Sequence, residues 1–326
     1  MKKFLNNLLF VFISSAVLVF FSEKAYWYVQ GFEVGGLILY YAVPTAASLW
    51  ALHAFRVHDL SGVVLVGTLF AFLVEGVLTP VIYEAGLLDP VMPAYFIGWH
   101  GLLSVVFGWY LLRRWLVEKR WKRLLLTCLI FGLFWGVWSL TFWLPENIAE
   151  FEALAAAGEP ARPGQWPPIE FAFYALLFTL MLMAGHWLLG RGIWKSEFSL
   201  STPGKVVLVM VLGGLFVLQV LLILPLAVLK LTALLLLVFL PLAAHRKRQS
   251  SPPLLTSLQG RAGILPLLTL LVMPAAASLV YWLSFQRSPG MTVIQDINEL
   301  TPFLQGLVGV GAYLWAAGSQ ILRQHD

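Results

Sequence analysis

Charge is what this chain has least of. Asp, Glu, Lys and Arg make up 11% of its 326 residues, against roughly 25% in a soluble globular domain. With 60% hydrophobic residues and a mean hydropathy of +0.84, most side chains must meet lipid or other apolar helices. No polar stretch is long enough for a separate soluble domain of ordinary size, so residues 1–326 read as a single integral membrane domain. Cysteine is nearly absent too. Cys128 stands alone, which excludes an internal disulfide framework and a cysteine-rich metal site; in its apolar run it reads as packing.

Motifs that carry familiar chemistry are also missing. There is no Gly-x-x-x-x-Gly-Lys-[Ser/Thr] loop to cradle a nucleotide, and no Asp-Asp-x-x-Asp pair for metal-dependent prenyl transfer. No Gly-x-Ser-x-Gly elbow marks a serine hydrolase. No His-Glu-x-x-His or His-x-x-x-His supplies the close ligands of a catalytic zinc. No lysine lies deep in an apolar segment, which disfavours a retinal Schiff base. Neither a cofactor nor a metal is expected. The net charge of +5 does not point to nucleic acid, because the basic residues flank apolar segments instead of forming a stripe on a polar face.

What the chain does have is length in its apolar runs. Ten are near the ~20 residues that a membrane-spanning helix needs. Their cores are Leu5–Phe21, Val34–Phe55, Ser61–Tyr83, Val91–Leu112, Leu124–Leu144, Ile169–Leu189, Val206–Leu222, Lys230–Ala244, Gly263–Phe285 and Phe303–Leu322. The seventh and eighth are nearly continuous, and Leu224-Pro225-Leu226 with Lys230 supplies the turn between them. The expected fold is all-α, a polytopic transmembrane helical bundle of about ten helices. With the N-terminus inside, only Lys24, Arg162, Lys230 and Arg287 of the 21 Lys and Arg fall on outer connections. The Lys/Arg bias sets orientation, so both termini are expected in the cytoplasm, in the plasma (inner) membrane of a bacterium. The first segment resembles a signal peptide but lacks a small-x-small cleavage site. It is read as an uncleaved helix, with Tyr26, Trp27 and Tyr28 in the outer aromatic belt. Between Pro145 and Pro168, Glu146–Ala157 reads as a short surface helix and Gly158–Pro168 as irregular.

Against this background Glu75 stands out, in the run LSGVVLVGTLFAFLVEGVLTPVIYE from Leu60 to Glu84. A carboxylate at that depth is costly, and such residues are tied to pairing or function. Glu75 lies about nine residues before the outer end of the third segment, and His100 about ten after the outer start of the fourth, which puts both roughly 14–15 Å below the surface. The two segments are joined by a connection of a few residues near Gly86–Asp89, so they should pack as an antiparallel hairpin with the two side chains facing. Thr68, Glu75, Thr79 and Tyr83 share one helix face. Pro80 removes the backbone bond to the Gly76 carbonyl, which offers a free carbonyl beside a carboxylate, as ion and proton sites use. Ser104 is one turn from His100, and Gly98 and Gly101 thin the fourth helix for close approach of a helix or ligand. Glu84 edges the outer mouth, part of an acidic outer face that attracts cations.

Other polar positions are weaker. Tyr40, Tyr41 and Gln219 are expected to line the same outer-half cavity. His186 lies some 10 Å deeper than the pair by residue count, which makes it a poor third metal ligand. Gly132 and Gly136 in the fifth segment read as helix packing. Val63–Pro80 loosely resembles Val206–Pro225, with Gln219 near the place of Glu75, the pattern of an internal repeat. The first six helices, within residues 1–190, carry the polar site, and the last four, within 203–326, are apolar.

Three functions fit: a proton- or cation-coupled transporter or permease with a buried Glu75–His100 pair; a non-catalytic membrane scaffold or assembly subunit, in which the pair is interhelical glue; and an intramembrane enzyme acting on a lipid or isoprenoid substrate. The expected partners are the lipid bilayer, a small-molecule or lipid substrate, and a membrane-protein partner, with no nucleic acid.

Overall fold

The structure, a computed structural model, describes residues 2–25, 33–156, 166–193, 198–246, 254–258 and 260–322. Of the described residues 86% are helical, and none of them forms a strand. Among the described residues ten helices are long and apolar enough to cross a membrane: α1 Phe4–Lys24, α2 Val34–Ala54, α3 Leu60–Leu78, α4 Val91–Val117, α5 Trp121–Trp143, α6 Pro168–Arg191, α7 Thr202–Leu221, α8 Ala227–Ala244, α9 Ile264–Arg287 and α10 Met291–Ile321. Each forms because its apolar run lets every backbone group bond within the helix, the only open-ended solution in lipid. A shorter helix, Pro145–Ala156, follows α5.

Helix α3 is the hub. It packs against α2, α4, α8 and α10, and 94% of its apolar window is enclosed, against 6% for α7. A charge on α3 therefore meets protein, whereas one on α7 would meet lipid. Asp59 starts α3 by accepting the Gly62 amide at 2.8 Å, satisfying one of the unpaired donors at a helix N-terminus. Elsewhere α5 packs on α9, and α6 lies against α1 and α9. Gly132 and Gly136 make the α5–α9 contact: a Cβ at either would come within 2.5 and 2.6 Å of the Met273 and Ala277 carbonyl oxygens.

Cross-links between connections sort them onto two faces. Lys230 Nζ donates to the Gly86 carbonyl at 2.8 Å, so the α7–α8 turn shares a face with the α3–α4 connection and Glu84. On the opposite face Leu254 N bonds to Val57 O at 2.9 Å, and Asn7 Nδ2 to Ser199 O at 2.9 Å. Gln320 Nε2 also reaches Ser61 Oγ there. Near both ends of the described chain, then, α1 and α10 are anchored to one face, which Arg113 also marks.

Three expectations needed correction. The third segment does not stay helical to Tyr83. Thr79 is extended (φ −122°, ψ 142°) and a 3-10 turn, Val81–Tyr83, follows, because a residue before proline is pushed out of helical geometry. Helix α10 starts at Met291 and not at Phe303, and includes Pro302. Lys24, assigned to an outer connection, is instead the last residue of α1: it is 1% exposed, with Nζ 5.0 Å from the centre of the Phe178 ring. Tyr26, Trp27, Tyr28 and most of Gly158–Pro168 lie outside the described residues.

Candidate functional site

The α3–α4 hairpin brings Glu75 and His100 together. Their contact is set by two glycines: a Cβ on Gly67 would sit 2.6 Å from the Gly101 carbonyl oxygen, so the two backbones touch one another directly. Eight residues beyond Gly67, Glu75 Oε1 meets His100 Nε2 at 2.7 Å. His100 is fully buried and Glu75 is 7% exposed. The second carboxylate oxygen, Oε2, accepts from Thr79 Oγ1 at 2.9 Å. The imidazole is held flat against Trp99, with ring centres 4.5 Å apart, and lies near-parallel to Phe96. Its Nδ1 is buried and has no hydrogen-bond partner among the described residues.

Pro80 does open the Gly76 carbonyl, but the carbonyl is not free. The Tyr83 hydroxyl donates to it at 2.8 Å, and burial pushes the Tyr83 phenol above its ordinary pKa, so it remains a donor. The carbonyl expected to serve an ion is thus already taken. Ser104 is drawn away from the pair as well: its oxygen accepts from Ser22 Oγ of α1 at 2.9 Å, both residues being fully buried. Glu84 is exposed in the connection after α3 and does not join the cluster. Gly98 does admit a close neighbour, and it is a helix. A Cβ there would lie 2.2 Å from the Gln305 carbonyl oxygen of α10.

Glu23 is the residue that the sequence hid. At the end of an apolar run and next to Lys24, it looks like an interfacial charge. Helix α1 instead turns it inward, where Tyr41 Oη donates to Glu23 Oε1. Glu23 is close enough to both Glu75 and His100 to interact electrostatically with them, and the Tyr41 and His100 ring centres are 6.3 Å apart. Next to Tyr41 on α2, the Tyr40 hydroxyl bridges the Leu78 carbonyl and the Gln219 side chain of α7, the latter at 3.1 Å. The cluster thus holds two carboxylates and an imidazole, with Tyr41 and Thr79 as hydroxyl donors.

The helices are locally widened where these side chains sit. Glu23 lies in a π-helical stretch, Phe20–Lys24; Glu75 in Val74–Leu78; His100 in Ile97–Leu111; and Gln219 in Val217–Leu221. A π turn inserts an extra residue into the i→i−4 ladder, and such turns occur disproportionately at functional sites. Apolar periodicity carries no trace of them, which is why the sequence did not show this shared feature.

Among the described residues no group of three His, Cys, Asp or Glu side chains is arranged to hold a metal ion. His186 belongs to a different neighbourhood, against the Gly108 backbone and Arg113. Arg113, one of the basic residues that flank apolar segments in the sequence, is fully buried. Its guanidinium donates to the carbonyls of His186 and Gly260, both at 2.5 Å, and of Leu258 at 3.3 Å. Compared with known proteins, the chain matches no family model, no curated protein and no solved structure.

Proposed function

We propose that this chain is a proton-coupled membrane transporter in which Glu75 and His100 carry the coupling proton and Glu23 with Tyr41 completes the site. The observation that supports this reading is the 2.7 Å contact of Glu75 Oε1 with His100 Nε2, enclosed by helices and within electrostatic reach of a second carboxylate. Intramembrane carboxylate and imidazole groups of this kind are the elements of proton relays in pumps and transporters. A proton fits better than a metal cation, because a cation entering between the groups would have to displace the imidazole that already occupies Glu75. Taking up or releasing one proton changes the charge of the pair. It therefore changes how strongly α3 and α4 hold each other at their π turns, which gives the proton a mechanical effect. The substrate class is small or lipidic. The Lys/Arg bias makes the Arg113 face cytoplasmic, in a bacterial inner membrane.

One observation favours a second reading. Both Glu75 oxygens are satisfied within the protein, by His100 and Thr79, as in a purely structural polar contact between helices of a scaffold subunit. Proteoliposomes holding a pH-sensitive dye, driven by a potassium diffusion potential, separate the two. Coupled transport predicts protein-dependent proton flux that Glu75→Gln abolishes. Flux that is equal in the variant and the native protein removes Glu75 from this role. Absence of flux in both, with a loss of stability in the variant, favours the structural contact.

A further inference from the structure

Resting on the proton-coupled reading, we infer that protons reach the Glu75–His100 pair from the Arg113 face through a polar file between α1, α4 and α6, with His186 as its inner station. The file follows α4. His100 and Ser104, four residues apart, lie on one face of the helix; a turn further on the Phe21 ring of α1 fills the side-chain position of Gly108, and the file passes along the Gly108 backbone beside that ring. His100 bonds to Glu75 at 2.7 Å, Ser104 to Ser22 at 2.9 Å, and Gly108 has the His186 imidazole against its backbone. From His100 to Gly108 is about 12 Å or less along the helix axis. Inward of Gly108, Arg113 takes the His186 carbonyl at 2.5 Å and ties it to the segment at Gly260.

Unsatisfied polar atoms mark the same route. His100 Nδ1, both ring nitrogens of His186, Thr179 Oγ1 and Ser14 Oγ are buried without a hydrogen bond of normal length to protein among the described residues. All four residues are fully buried, and buried polar groups seldom go unpaired in native proteins. Thr179 lies two turns outward of His186 on the same face of α6. Ser14 lies one turn from Val17, the residue that Gly185 packs against. An apolar packing seam has no use for four such side chains, whereas a hydrogen-bonded file of water needs donors and acceptors of this kind along its length.

The proton count closes without any other reactant. His186 accepts a proton on one ring nitrogen from the Arg113 face and releases one from the other. His100 accepts it at Nδ1 and passes the Nε2 proton to the Glu75 carboxylate, which becomes a carboxylic acid. Arg113 is the charged group facing His186, and Glu75 and Glu23 are those facing His100.

The test uses the full chain in proteoliposomes of one orientation, with the Glu75 carboxyl band followed by infrared spectroscopy and assigned by its loss in Glu75→Gln. In the native protein a pH step on the Arg113 face should shift the band. In His186→Phe that response should be lost, while a step on the Glu84 face still shifts it. A His186→Phe band that follows the Arg113-face step as in the native protein overturns the file, as does a native band blind to that step. Should His186→Phe fail to fold, Thr179→Val and Ser104→Ala carry the same expectation of a slowed response, and unchanged rates in both overturn it. Either failure leaves the functional reading standing, because that reading depends on flux through Glu75 and not on the route taken to reach it.

Discussion

The Tyr83 hydroxyl closes the Gly76 carbonyl that Pro80 leaves open, at 2.8 Å and from seven residues along the chain. The contact lets α3 break next to a buried carboxylate without exposing unpaired backbone. Tyr83→Phe should therefore leave a buried acceptor unmet and cost about 1–3 kcal/mol, with little change in volume. Unfolding in detergent micelles measures it, and a variant as stable as the native protein would mean that another donor reaches Gly76.

The hairpin was legible in the sequence because its evidence is local. Glu75, Pro80, Gly101 and His100 fall within a few tens of residues, and a short connection forces their segments to be neighbours. Residue counting alone then levels the two side chains. Glu23 was not legible, because its place depends on how α1 docks on α4. That docking runs through Phe21, which fills the space where a Gly108 side chain would be, 2.1 Å from an added Cβ. The burial of Arg113 was not legible for a related reason. In sequence it is one of a basic cluster, and only the packing of α6 and the segment at Gly260 shows that its charge serves buried carbonyls.

The close approach of α3 and α4 is open to a direct test. Gly67→Ala places a methyl 2.6 Å from the Gly101 carbonyl oxygen, a backbone atom that cannot turn aside. Overpacking of this kind costs about 1–3 kcal/mol, and prising the helices apart should also lengthen the Glu75–His100 contact and reduce any flux through it. Gly213→Ala is the control, since nothing lies within 4 Å of that Cβ. It should be neutral or stabilising by up to ~1 kcal/mol, the helix propensity gain. Equal effects of the two substitutions on unfolding would contradict the packing described.

The Glu75–His100 contact should appear as energetic coupling. In a double-mutant cycle of Glu75→Gln and His100→Gln, residues in direct contact give interaction energies of about 0.5–3 kcal/mol. The same cycle between Glu75→Gln and Gln219→Leu should give less, since the Gln219 side chain bonds to the Tyr40 hydroxyl of α2. Unfolding free energies in micelles supply both cycles, and strictly additive effects for the first pair would show that the two side chains do not bond in the membrane.

Arg113 offers the sharpest contrast between charge and shape. Its guanidinium spans carbonyls on two separate parts of the chain, His186 on α6 and Leu258 and Gly260 before α9. The site is tight: a Cβ on Gly190 would lie 3.0 Å from the Gly260 oxygen and 3.4 Å from Arg113 Nη2. A planar fork with five donors in fixed directions can serve several acceptors at once, whereas an ammonium is a single point on a flexible stem. Arg113→Lys keeps the charge but should leave at least one carbonyl unmet, at a cost of about 1–3 kcal/mol. Arg113→Met loses all three bonds and should cost more. Hydrogen exchange across 260–263 should rise in both variants, more steeply in Arg113→Met. If Arg113→Lys protects that segment as well as the native arginine does, charge alone is the requirement and the fork geometry is incidental.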